Sequence, residues 1–107
     1  MVKCTVEGMV TGKPNERETY NGIMLCTYWV KAVTVDKHTD KQTEQHVRVI
    51  AKQKEAAWAC LNLEMGSAVR LTGQARPKLW RDAMGTQHAC IELIQEKGRL
   101  LNGCVYA

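Results

Sequence analysis

Aspartate is scarce in this sequence: only Asp36, Asp40 and Asp82 occur, and two of them share one stretch. A nuclease would need several carboxylates converging on one cleft, usually around metal ions. The five cysteines, Cys4, Cys26, Cys60, Cys90 and Cys104, include no CxxC pair. Nor do His38, His46 and His88 supply metal-ligand spacing beside them. No glycine-rich phosphate loop and no nucleophile–base arrangement stands out. These absences argue against an enzyme, a metal site or a cofactor. Odd in number and widely spaced, the cysteines read as reduced thiols of a cytoplasmic protein, packed as small apolar residues. No apolar run approaches the length of a membrane span. Met1-Val2-Lys3-Cys4 runs directly into alternating sequence, so no signal peptide is expected.

What is present suits a single domain with one modest core: 107 residues, 45% apolar and 24% charged. Fifteen basic residues against eleven acidic ones leave a net charge of +4. That bias favours an anionic partner only where the cations cluster. Val2, Cys4 and Val6 alternate with polar residues as a first strand, and Gly8 and Gly12 mark a bend or bulge. Lys13 to Glu18 reads as a polar connection, and Asn21-Gly22 as a turn or the start of the next strand. The second strand runs from Ile23 to Val35, with Met24, Cys26, Tyr28, Val30 and Ala32 on the core face. Leu25, Thr27, Trp29, Lys31 and Val33 lie on its other face. A charged hairpin loop, Asp36 to Thr43, leads to a third strand with Val47, Val49 and Ala51 inward and His46, Arg48 and Ile50 outward.

The period then changes. Lys52 to Met65 is alanine-rich and without β-branched residues, which predicts a helix with Trp58, Leu61 and Met65 on its core face and Gly66 as its stop. Val69 and Leu71 then oppose Arg70 and Thr72. Beyond Gly73, Gln74, Arg76, Lys78 and Trp80 share a face that ends at the loop Arg81 to Gly85. A basic strand tipped with an exposed indole suits a single strand of nucleic acid, cations meeting phosphates and the ring stacking on a base. A return strand covers Thr86 to Ile94, and residues 96–107 form a short tail without a clear period. Five strands with one helix between the third and fourth is the order of the OB-fold, an all-β barrel whose strand face binds oligonucleotides.

The stretch Arg48-Val49-Ile50-Ala51, the helix, Gly66-Ser67, Val69 to Gly73 and Lys78-Leu79-Trp80-Arg81-Asp82 resembles the bacterial- and phage-type single-stranded DNA-binding protein (SSB) family over residues 2–95. The resemblance implies a protein that coats and protects single-stranded DNA in replication, recombination or repair, assembled as a homodimer or homotetramer. By position, Trp80 matches a base-stacking tryptophan and Arg48 a basic DNA-contacting residue. Arg76 and Lys78 continue the basic strand, and Lys52, Lys31, Arg70 and Arg81 add charge around it. Trp29 either stacks on a base or packs between subunits. His46 and Lys52 stand where the family usually has aromatics, which shifts weight from stacking to phosphate contact.

Asn102 to Ala107 does not resemble the acidic, aromatic-ending tip by which many SSBs recruit replication proteins, so no such recruitment is expected from it. Gly22 to Tyr28 resembles a strand of the primosomal replication protein PriB, which makes a PriB-type role the alternative reading. An OB domain that binds only proteins is a third. The choice between DNA and RNA stays open.

Overall fold

The computed structural model describes residues 2–35 and 39–101. Met1, the charged-loop residues Asp36, Lys37 and His38, the last residues from Asn102 on with Cys104, and the side chains of Val33, Thr34 and Val35 lie outside what it describes. The elements are β1 (Val2–Val10), β2 (Asn15–Glu18), β3 (Met24–Val35), β4 (Gln42–Lys52), α1 (Lys54–Asn62), β5 (Ala68–Arg81) and β6 (Gln87–Leu100).

Five of the strands close into the expected barrel, in the order β1-β5-β6-β4-β3, with β3 returning to β1 through Met9↔Lys31 and Val10↔Val30. All pairings are antiparallel except β4 with β6. Gly8 makes the closure possible: a Cβ there would fall 2.4 Å from the Lys31 carbonyl oxygen, well inside contact distance. The alternating positions point as their period requires, so Cys26, Tyr28, Val30, Val47, Val49, Ala51, Val69, Leu71 and Leu93 fill the barrel.

Three boundaries differ from the sequence reading. The stretch read as a polar connection contains β2, paired to β3 from Asn15↔Thr27 to Glu18↔Met24. All four of its residues are exposed, so the ladder rests on backbone hydrogen bonds and leaves no apolar period to detect. The helix begins at Lys54, because Lys52 still pairs with Leu25 in the β4 ladder and Gln53, at φ 53°, turns the chain. It ends at Asn62; Gly66 serves instead in the turn Glu64–Ser67, at φ +92°. Its buried face is Ala56 and Ala59, continued by Leu63, whereas Leu61 is 84% exposed and Met65 is also exposed. Small alanines let the helix sit close against the barrel, and Trp58 packs partly against the core.

The third difference is the length of β6, which runs on to Leu100. A bulge explains why the period disappears. Thr72 pairs with Lys97 but Gly73 with Gln95, so Glu96 is an extra residue that reverses the alternation. Before it Leu93 and Gln95 face inward; after it Gly98 does, beneath the Trp58 ring. Gln95 is buried and accepts a hydrogen bond from the Tyr28 hydroxyl, while its amide donates to Glu55 at 2.8 Å. No helix among the described residues is long and apolar enough to cross a membrane.

Candidate nucleic-acid interface

The outer face of β3, β4, β6 and β5 forms a continuous row of chemistry across four neighbouring strands. Register sets the neighbours: Trp29 lies opposite Arg48, Arg48 and Arg76 flank Glu92, Lys78 lies opposite Cys90, and Trp80 opposite His88. Trp29, Arg48, Lys78, Trp80 and Cys90 line an open groove of about 430 Å³. The two indoles are 37% and 40% exposed, a large solvent share for tryptophan. Trp29 and Arg48 also border a second concavity with Lys13 and Asn15.

Beneath the cations lies a residue that the sequence reading passed over. Glu92, an outward position on β6, is 1% exposed. Arg48 donates to it at 2.6 Å, Arg76 at 2.6 and 2.9 Å, and the Lys78 ammonium stands 3.4 Å away. Burial pushes its carboxyl up, but the hydrogen bonds from Arg76 and Arg48 and the charge of Lys78 outweigh that and hold it below the usual 4.5. The covering is thin, since the three cationic side chains that bury it are themselves partly open to solvent.

At the tip of the β5–β6 hairpin, Asp82 organises the loop. Its Oδ1 accepts from the Met84 and Thr86 amides at 2.9 and 3.0 Å, and His88 Nε2 lies 2.7 Å from its Oδ2. The hydrogen bond with His88 and those backbone amides lower the Asp82 carboxyl below its ordinary 3.8. His88 in turn stacks on Trp80, with centroids 5.2 Å apart and planes at 21°. One face of the indole is therefore backed and held by imidazole.

The other expected positions are spread out. Lys31 and His46 are cross-strand neighbours on the same outer face, one step beyond Trp29 and Arg48, with Lys31 3.8 Å from Glu44. Lys52 is exposed at the far end of β4. Arg70 is not brought to the groove: it is paired with Glu7 and lines a separate concavity with Lys97 and Arg99. Arg81, one residue past Trp80, donates to the Gly85 carbonyl at 3.3 Å and braces the loop. Glu92, Asp82, His88 and Cys90 were missed as site residues. Nothing local marks them, and the neighbours that give them meaning come only with register.

Comparison with solved structures finds the crystal structure of a small single-stranded DNA-binding protein from Streptomyces coelicolor, at a TM-score of 0.75 and 18% identity over 94% of each chain. At that identity the likeness speaks for the fold. Comparison with curated proteins returns no match. The model of the single-strand binding protein family matches residues 1–101. That match spans the barrel and the whole outer row, and the chain belongs to the single-strand binding protein family, whose members are non-enzymatic DNA-binding proteins.

Proposed function

We propose that this chain coats single-stranded DNA with little preference for base sequence, in replication, recombination or repair, and holds it across the outer face of β3, β4, β6 and β5. The observation that carries the reading is the groove in which two exposed indoles, Trp29 and Trp80, bracket Arg48 and Lys78. Ring faces accept any unpaired base, and cations accept any phosphate, so such a groove reads the absence of pairing rather than sequence. Arg76 joins the phosphate track, and Lys31, His46 and Lys52 extend it along β3 and β4. The chain acts as a homodimer or homotetramer. Leu79 and Ile91, exposed on the reverse face of the hairpin, and Met84 at its tip offer apolar surface for a second copy.

Titration of tryptophan fluorescence with dT and mixed-sequence oligomers, beside a duplex of equal length, tests the reading. Comparable quenching by both single strands and much weaker binding of the duplex are expected. Equal affinity for duplex and single strand at matched salt would sink it.

A further inference from the structure

Glu92 is the one acidic side chain among the described residues held by three cations, and it sits in the middle of the face assigned to DNA. A carboxylate placed where a phosphate would be welcome demands an explanation. We infer that Glu92 is a resident counter-anion that occupies the phosphate position on the groove floor and lowers the effective charge of the cation cluster by one. The inference rests on the DNA-binding reading above and adds how the bound strand must lie. Phosphate cannot settle between Arg48 and Arg76, since the carboxylate already takes hydrogen bonds from both. The backbone of the strand then follows the rims of the groove and its bases turn inward, toward Trp29 and Trp80. The site thereby keeps its stacking while giving up part of the salt-sensitive attraction that any polyanion would feel.

The charge arithmetic makes this measurable. On single strands each phosphate neutralised contributes about −0.7 to the slope of log affinity against log salt. Arg48, Arg76 and Lys78 alone would give about −2.1; with Glu92 offsetting one of them they give about −1.4. Glu92→Gln keeps the shape and a hydrogen-bond acceptor but removes the charge. The variant should bind a dT oligomer with a slope steeper by about 0.7, so that its gain in affinity at 0.1 M salt is about fivefold larger than at 1 M.

A second variant guards against a folding defect. Glu92→Gln combined with Arg76→Gln restores the net charge of the cluster and removes the repulsion that the single change creates. It should return to the wild-type slope. If Glu92 only braces the arginines, the double variant will instead be shallower than wild type by about 0.7, and the single variant will bind less tightly without a steeper slope. Either result overturns the inference. A wild-type protein that does not bind the oligomer overturns the function proposed above along with it, whereas normal wild-type binding with slopes unmoved by Glu92→Gln overturns this inference alone.

Discussion

At Trp80 three side chains from one hairpin build a single braced ring platform. The indole stands on the outer face, His88 backs it, and Asp82 fixes His88. Trp80→Ala should weaken binding by ~1–3 kcal/mol, the range for a lost stacking platform. The melting temperature should hardly move, because the side chain is not part of the core. His88→Ala should cost less, on the order of 0.5–1.5 kcal/mol, because it removes only the backing ring. Equal losses for the two in the same fluorescence titration would mean that the base stacks on imidazole rather than indole.

Acid should expose the two depressed carboxylates. Glu92 and Asp82 both release their protons more readily in the folded chain, so as pH falls the unfolded state takes up protons first. Their stabilisation is complete above their ordinary values of 4.5 and 3.8 and fades as pH drops through the lower folded values. Thermal melting followed from pH 7 to 3 should decline below about pH 4.5, and less steeply in Glu92→Gln. A decline that is already under way well above pH 4.5 would mean that these two carboxylates do not set it. At this scale the sequence made Trp80, Arg48, Arg76 and Lys78 legible, because parity and residue type suffice for them. Glu92 needed the β4–β6 and β5–β6 registers, which join positions 44 and 16 residues apart.

At the scale of elements, the closure between β1 and β3 is the point of least tolerance. Gly8→Ala puts a methyl group against the Lys31 carbonyl, and a backbone shift must follow. Urea denaturation should show a loss of roughly 1–3 kcal/mol, typical of overpacking in a tight site. A variant as stable as wild type would show that β1 can slide away from β3 without harm. The glycine was legible as a bend, though not as the seam of the barrel. The five barrel strands and their inward faces were readable because Val, Leu and Cys recur at every second position, whereas exposed β2 carries no such period. The helix face is legible only in part: Trp58 packs against the core as expected, but Leu61 and Met65 are exposed, and small Ala56 and Ala59 lie inside, where residue size gives no signal. The bulge at Thr72/Gly73 hid the last third of β6, since alternation is informative only within an unbroken ladder.

For the whole molecule, the balance between stacking and charge decides behaviour in salt. Counting Arg48, Lys52, Arg76 and Lys78 as four independent phosphate contacts would give a slope near about −3. The fold argues for a smaller value, because Glu92 offsets one charge and Lys52 stands at the far end of β4. The central cluster by itself contributes about −1.4, and Lys31 and Lys52 add to it only where the strand reaches them. Stacking and charge can then be separated by one pair of variants. His46 lies on the outer face beside Lys31, one alternation step from Arg48, so His46→Trp adds a ring in line with Trp29. It should raise affinity at high and low salt by a similar factor, worth up to about 1–3 kcal/mol, and leave the slope as it is. Lys78→Ala should instead flatten the slope by about 0.7 and lose its effect as salt rises. If the tryptophan variant changes the slope, or the lysine variant does not, then bases and phosphates do not divide this face between rings and cations, and the strand runs elsewhere on the barrel.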